Sequence, residues 1–504
     1  MVESIGQKTF ISSAFAVAGQ WISRLLGIIS VVIFARVLSP DDYGIVAIAQ
    51  LSFSFLQILL SDGSRAYLIR KPVVTDDDLD TAWTIRLTLV ALIAIIIFIT
   101  KDIISNFFNE PRLITILYYL SISFFISAFQ NIGDIVYEKK LEYRKIFLFG
   151  FIVKLSGFIA SICLALYIQN YWVLICGLIA MQITSVFMSY LLFEHRPRLT
   201  LCQVNEQWKF SKWIFLGNIT SFIRNKLDRV LISKYLGTIE LGFFNMSYHL
   251  SDMPYTEIIA PINKVVYSSY SQTLENKNNL AEMFLQVVGV MSIIIFPLYF
   301  GLVVLSKDIV LLLLGEKWDY VKTILPIVVF LLMSQTISLL ATNILTALGE
   351  VKILALLNWV MVLIMVPVLV YIISYNDLYL FILGRALLAA SFVPVFYLIL
   401  FRSLVVNKTL FMMAIIRPLV AAAIMGSSVY FSYSLLSSLP IVISLLTEII
   451  IGAIIYSVSL IALWVFSGKS LGGEEYIMDK IYLVCSKNIF FRKYFSEGIR
   501  KLKK

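Results

Sequence analysis

The sequence predicts an all-α polytopic membrane protein with about fourteen transmembrane helices. Two compositional facts support this, because 60% of the 504 residues are hydrophobic and only 14% are charged. A soluble domain has roughly 45–50% apolar and about 25% charged residues. The third observation is a pattern in which long apolar runs alternate with short segments that hold most of the lysines and arginines. That alternation is typical of membrane spans with basic residues at the lipid boundary.

Apolar segments long enough to cross a bilayer fall into two groups, roughly six before a polar stretch and roughly eight after it. The least hydrophobic spans lie near 113–136, 211–236 and 242–270. The division predicts an N-lobe with the first six spans, a cytoplasmic linker, a C-lobe with the next six, two further helices, and a basic cytoplasmic tail. These segments are, in order, 1–194, 195–210, 211–400, 401–467 and 468–504.

The net charge of +10 does not indicate a nucleic-acid partner, because the bases lie between apolar runs. Most of them fall in loops on the same side as the N-terminus, so the positive-inside rule predicts that both termini are cytoplasmic. Four scattered cysteines and two histidines form neither a disulfide framework nor a zinc spacing, and we expect no metal and no cofactor. The external loops are short, which argues against an outer catalytic domain.

Three local expectations concern the ends of spans. Thr75 followed by three aspartates predicts an N-cap with acids in the first helical turn. The apolar patch Ile309–Leu314, in the longest external loop, is expected on the membrane interface. The basic, partly amphipathic tail from Gly468 is expected on the anionic inner leaflet, with a disordered positive tail as the alternative.

An internal repeat relates the first and seventh spans and the turns that follow them. Residues 36–44 align with residues 234–242 at a constant offset of 198, which pairs Gly44 with Gly242. The two segments run in the same direction, so they predict a parallel repeat about an axis along the membrane normal. Transporters bind substrate in the seam between such repeats and rock one against the other. Chance similarity between apolar helices is the alternative.

Charged residues inside the predicted spans indicate a functional cavity, because each costs about 2.5–3.5 kcal/mol at the bilayer centre. Bases outnumber acids there, and arginine can bind a phosphate through two hydrogen bonds. An anionic head group, a pyrophosphate that carries sugars, is therefore the expected ligand. The bases expected to bind it are Arg24, Arg86, Lys154, Arg224, Lys226, Arg229 and Lys264. For Arg86, Lys264 and Arg417, the alternative is that the side chain snorkels to the interface.

Acids and a histidine in the same spans are candidates for coupling transport to H+ or Na+. They are Asp228, His249, Asp252 and Glu257. Asp228 is equally compatible with a structural counter-ion role, since Arg224 lies four residues before it. For His249, a packed or hydrogen-bonded side chain is the favoured alternative.

Several ordered motifs carry a resemblance to a known family. They are residues 35–44 (ARVLSPDDYG) after a first span with a central arginine, residues 137–144 (YEKKLEYR) and residues 228–232 (DRVLI). Their order and spacing resemble the bacterial polysaccharide flippases of the Wzx/TuaB-like branch. That branch belongs to the multidrug/oligosaccharidyl-lipid/polysaccharide (MOP) exporter superfamily. The resemblance runs over most of residues 1–400 and weakens in the last spans and the tail.

The resemblance implies a flippase that moves undecaprenyl-pyrophosphate-linked oligosaccharide across the bacterial plasma (inner) membrane by alternating access. The product would serve O-antigen, capsule or exopolysaccharide synthesis. The implied fold has two pseudo-symmetric six-helix lobes plus two C-terminal helices. The implied partners are the lipid-linked oligosaccharide, plasma-membrane lipids, a polysaccharide polymerase and a chain-length regulator.

Three other functions compete with a flippase. A MATE-like cation or drug antiporter would prefer acidic cavity residues, so the basic surplus argues against it. A membrane polysaccharide polymerase or glycosyltransferase usually needs a sizeable external loop or an acid-rich catalytic site, and neither is visible. A scaffold for a biosynthetic complex would leave the bases inside the spans hard to explain.

Overall fold

The computed structural model describes residues 21, 24–59, 64–71, 73–140, 142–204, 222–274, 276–436, 439–468 and 473–475. The regular elements in these ranges are all helices, so the predicted all-α membrane fold is confirmed. Within the same ranges, nine helices are long and apolar enough to cross a membrane. The count of about fourteen spans stays a prediction.

The chain divides into two compact units, Met1–Asn245 and Met246–Lys504. The described helices of the first unit are α1 (24–37), α2 (Pro40–Leu59), α3 (Ser64–Arg70), α4 (Asp76–Phe108), α5 (Arg112–Ser127), α6 (Asp134–Lys139), α7 (Tyr143–Ala165), α8 (Trp172–Leu192) and α9 (222–231). A π-helical turn, Ile232–Leu236, follows α9, and the division between the units falls inside α10 (Thr238–Pro254). The lobe boundaries expected from the sequence stay predictions.

The start of α4 confirms the predicted N-cap. Thr75 Oγ1 accepts a hydrogen bond from the backbone N–H of Asp78 at 3.3 Å, and Asp78 Oδ2 accepts one from the N–H of Thr75 at 2.9 Å. This reciprocal pair is a capping box. Lys71 Nζ lies 2.7 Å from the second carboxylate oxygen of Asp78, so both oxygens of that side chain are used.

The prediction of a single span over 113–136 is wrong. α5 ends at Ser127, and a turn separates it from the short α6. The buried side chain of Asn131 closes the turn. Its Oδ1 accepts from the N–H of Gly133 at 2.8 Å, and its Nδ2 donates to the carbonyl oxygen of His195 at 2.6 Å. Side-chain to backbone bonds of this kind give the chain an alternative to continued helix.

The second unit begins with the end of α10 and a second π-helical turn, Tyr255–Ile259. Its further helices are α11 (Ala260–Gln272), α12 (Lys277–Val304), α13 (Ser306–Leu313), α14 (Asp319–Ala347), α15 (Val351–Ile373), α16 (Leu378–Ser403), α17 (Lys408–Leu436) and α18 (Ile441–Phe466). Proline lies inside α12, α14, α15, α16 and α17. Membrane helices tolerate this because neighbouring groups satisfy the freed backbone carbonyls.

The patch Ile309–Leu314 packs in part against the protein, and its expected place on the membrane interface stays a prediction. It forms most of α13, where Val310 is 0% and Leu314 1% exposed. α13 packs on α14 and α18, so its apolar face is buried inside the second unit. Only part of the patch, such as Leu311, is exposed.

Candidate functional site: charged residues of the spans

Two of the predicted cavity bases of the first unit are half-buried on α1 and α4. The guanidinium of Arg24 lies 6.0 Å from the ring centre of Trp21, within the range of a cation–π contact. Arg86 Nη2 donates a hydrogen bond of 2.7 Å to Gln130 Oε1. The guanidinium of Arg86 is therefore held by a side chain of the same unit.

α9 carries the charged residues that the sequence analysis placed in the seventh predicted span. Arg224 and Lys226 are half-buried, and Asp228 is 3% exposed. Arg229 Nε donates to Asn245 Oδ1 at 2.8 Å, and its guanidinium lies 5.7 Å from the ring centre of Phe244. Arg229 thus links α9 to α10 across the π-helical turn.

The remaining predicted bases and coupling residues lie in different settings. Lys154 on α7 and Lys264 on α11 are exposed on the surface of their units. His249 is exposed, whereas Asp252 and Glu257 are half-buried. Whether any of these residues binds substrate or an ion stays a prediction.

The second π-helical turn interrupts the predicted span 242–270. It begins directly after Pro254 and contains Glu257. Two buried polar side chains flank it, and Ser251 Oγ and both polar atoms of Asn263 have no hydrogen-bond partner among the described residues. A π-helical turn marks a local departure from α-helix and often occurs at functional sites.

A network of charges at the start of α2 was not predicted. Arg112 Nη1 and Nη2 donate to the two carboxylate oxygens of Asp41 at 2.6 and 3.1 Å, and its Nε donates to Glu110 at 2.7 Å. The Thr238 hydroxyl also donates to Asp41. Burial raises the pKa of Asp41, but the hydrogen bonds from Arg112 and Thr238 outweigh it, so the pKa lies below its usual value. Hydrogen bonding from Arg112 likewise lowers the pKa of Glu110.

The two glycines paired by the internal repeat occupy equivalent positions in a reciprocal contact. A Cβ added to Gly44 would lie 1.8 Å from the carbonyl oxygen of Thr238. A Cβ added to Gly242 would lie 1.9 Å from the carbonyl oxygen of Pro40. The offset of 198 that pairs the glycines also pairs Pro40 with Thr238. The alignment seen in the sequence therefore corresponds to a pseudo-twofold contact between the starts of α2 and α10.

Arg417 does not snorkel to an interface. Its side chain on α17 is 6% exposed, and its Nη1 lies 3.5 Å from Glu474 Oε2, which is 4% exposed. Glu474 belongs to a short described segment beyond α18, where Gly473 lies against the backbone of Gly289 and Val290. The rest of the tail, on which the inner-leaflet expectation depends, lies outside the described residues apart from 468 and 473–475.

The described residues contain no group of three histidine, cysteine, aspartate or glutamate side chains that could hold a metal ion. Sequence reasoning also missed an acid on α18, Glu448, which is 1% exposed. It is the only charged side chain in that helix, and a single acid within a long apolar run matches no sequence motif.

Comparison with known proteins defines first the class and then the family. The lipid II flippase MurJ, solved in an inward closed conformation, matches with a TM-score of 0.69 at 15% identity, covering 90% of this chain and 98% of MurJ. The chain therefore has the polytopic α-helical fold of MurJ. Residues 33–323 match the family described as "Polysaccharide biosynthesis protein". Since that match covers more than half of the chain, the protein belongs to this family.

Relatives of known source agree with this assignment. A protein described as "Uncharacterized membrane protein in cps region" of Klebsiella pneumoniae is 25% identical over 386 residues, covering 74% of this chain and 78% of that protein. The lipopolysaccharide biosynthesis protein WzxC of Escherichia coli K12 is 22% identical over 332 residues, covering 64% of this chain and 67% of WzxC. The resemblance to polysaccharide flippases is confirmed, as is the prediction of a multi-pass membrane transporter rather than an enzyme.

Proposed function

We propose that the protein is a flippase for undecaprenyl-pyrophosphate-linked oligosaccharide repeat units. It transfers them from the inner to the outer leaflet of a bacterial plasma membrane by alternating access. Both termini lie in the cytoplasm, and the product feeds O-antigen, capsule or exopolysaccharide synthesis. A polymerase and a chain-length regulator act on the delivered repeat unit.

The observation that carries this proposal is the set of half-buried bases on α1 and α9 of the first unit. Arg24, Arg224 and Lys226 are half-buried and lie on spans that the sequence predicts to cross the membrane. A half-buried cation is stabilised when a negatively charged ligand binds next to it. Arginine can donate two parallel hydrogen bonds to a phosphate group. A cationic drug would be repelled by the same groups, which disfavours an antiporter for cations.

The experiment measures lipid-linked oligosaccharide in each leaflet of a strain that lacks the gene. Accumulation in the inner leaflet, together with loss of surface polymer, is the expected result. Complementation with Arg24→Ala or Arg224→Ala should restore at most a tenth of the polymer at normal protein level. Arg402→Ala is the matched control, because Arg402 is an exposed arginine at the end of α16.

A deletion strain with an unchanged leaflet distribution would contradict the flippase. Full activity of Arg24→Ala and Arg224→Ala would contradict the role of these arginines in binding the pyrophosphate. Loss of activity in Arg402→Ala to the same degree would show that removal of any arginine charge is harmful.

A further inference from the structure

A carboxyl group that the sequence analysis did not single out is buried on the last predicted span. Glu448, on α18, is 1% exposed, and its Oε1 accepts a hydrogen bond of 3.1 Å from the hydroxyl of Ser444 one turn earlier. Its Oε2 is buried and has no hydrogen-bond donor among the residues that the structure describes. The surroundings thus leave one oxygen of a carboxyl group unsatisfied.

A second acid lies close to it on the neighbouring helix. Asp308 on α13 is 8% exposed and near enough to Glu448 for their charges to interact. Burial raises the pKa of Asp308, although the positive charges of Lys307 and Lys322 oppose that effect. Lys322 is itself bonded to Asp319 at 2.5 Å.

The other two helices that pack on α18 present apolar groups at this level. One turn beyond Glu448, Gly452 lies against Val429 and Met425 of α17. The charged residues of α17 are Lys408 and Arg417, both in its first half, whereas Val429 lies near its other end. The charged residues of α12 lie in the first two turns of that helix. Gly426 of α17 contacts the last two turns of α12, far from those charges. Among the described residues, the charged neighbour of Glu448 is therefore Asp308, which has Lys307 and Lys322 beside it.

The neutral acid is the form that this environment stabilises. An ionised carboxylate with an unsatisfied oxygen, in apolar surroundings and near a second acid, loses its hydration without compensation. The protonated group instead places a hydroxyl on Oε2 and keeps the bond from Ser444 on Oε1.

We propose that Glu448 is a proton-binding site of the transport cycle, with Ser444 and Asp308 completing the site. The proton comes from water, binds Oε2 of the carboxylate, and returns to water when the helices rearrange and expose the group. This inference rests on the proposed transport function and adds the group that carries the proton. A sodium ion fits less well, because the three side chains supply few oxygens and Asp308 lies beside two lysines.

The first experiment detects the proton directly and does not depend on transport. The purified protein in vesicles of phosphatidylethanolamine and phosphatidylglycerol is titrated between pH 5 and pH 9, and infrared difference spectra record the C=O stretch of protonated carboxylic acids. Glu448→Gln should remove one such band, and Ser444→Ala should shift it. Glu282→Gln, at an exposed acid of α12, is the matched control and should change nothing. A spectrum that Glu448→Gln leaves unchanged would overturn the proposal.

The second experiment tests the role of that proton in transport. In the complemented deletion strain, Glu448→Gln should lower surface polymer at least tenfold at unchanged protein level, and Glu448→Asp should retain part of it. Since glutamine has the shape of the neutral acid, the variant should fold, which thermal unfolding of the purified protein checks. Normal polymer export by Glu448→Gln would overturn the coupling role. If the deletion itself leaves export intact, the proposed function fails, whereas the infrared band still decides whether Glu448 holds a proton.

Discussion

Gly44 lies so close to the carbonyl oxygen of Thr238 that no side chain fits between them. The same relationship recurs 198 residues later, where Gly242 faces the carbonyl oxygen of Pro40. Both contacts bring the backbone of α2 against that of α10. At either glycine, the addition of a single methyl group would therefore force the two helices apart.

We expect Gly44→Ala and Gly242→Ala to destabilise the protein by similar amounts, roughly 1–3 kcal/mol as for other overpacked positions. The measurement is thermal unfolding of the purified protein in detergent. Gly27→Ala and Gly150→Ala are matched controls, since nothing lies within 4 Å of a Cβ at either position. Equal unfolding temperatures for all four variants would contradict the close approach.

Removal of Arg112 should lower stability by about 1 kcal/mol, a modest value because the ion pairs are partly exposed. The loss should depend on pH. Asp41 and Glu110 have lowered pKa values in the folded protein. Their contribution is therefore complete above the unfolded values of about 4 and is lost as the pH falls below them.

The gap in unfolding temperature between the wild type and Arg112→Gln should thus stay constant from pH 7 to about pH 5 and narrow below about pH 4. Arg402→Gln, at an exposed arginine, should show no such change. A gap that widens with acid would be opposite in sign to the prediction.

Glu474→Gln should destabilise the second unit strongly, because it leaves the charge of Arg417 buried without this carboxylate. Breaking a buried ion pair on one side costs about 3–5 kcal/mol, whereas replacing both partners with apolar groups is often close to neutral. We therefore expect Arg417→Met combined with Glu474→Met to unfold at a higher temperature than Glu474→Gln. A double variant less stable than the single one would refute this account.

Pro254→Ala should slow transport without lowering the unfolding temperature. Alanine supplies the backbone N–H that proline lacks and favours a regular helix over the π-helical turn Tyr255–Ile259. Hydrogen exchange at those five residues should slow in the variant. Pro326→Ala, inside α14, controls for the general effect of removing a proline. Normal transport by Pro254→Ala would remove the reason to assign this turn a role.

Local and periodic features were predictable from the sequence, and contacts distant in sequence were not. The cap at Thr75 depends on residues three positions apart, so its pattern is complete in the sequence. The bend at Asn131 depends on His195, 64 positions away, and a lone asparagine gives no sign of that partner.

The charged residues of the spans follow the same rule. Nothing in the sequence indicates that Arg417 is buried against Glu474, because that partner lies beyond the last span. Glu448 was overlooked because burial, and not a motif, distinguishes it. The bases predicted to line a cavity were chosen by residue type and position in a span, and whether they bind an anion stays a prediction.

The reciprocal glycine contact also constrains which residues can replace Gly44 and Gly242. A side chain that clashes with another side chain can be accommodated by a smaller neighbour, but every amino acid carries a carbonyl oxygen. No replacement at Pro40 or Thr238 can therefore rescue the loss of the facing glycine. Steric exclusion alone is therefore enough to require glycine at both positions.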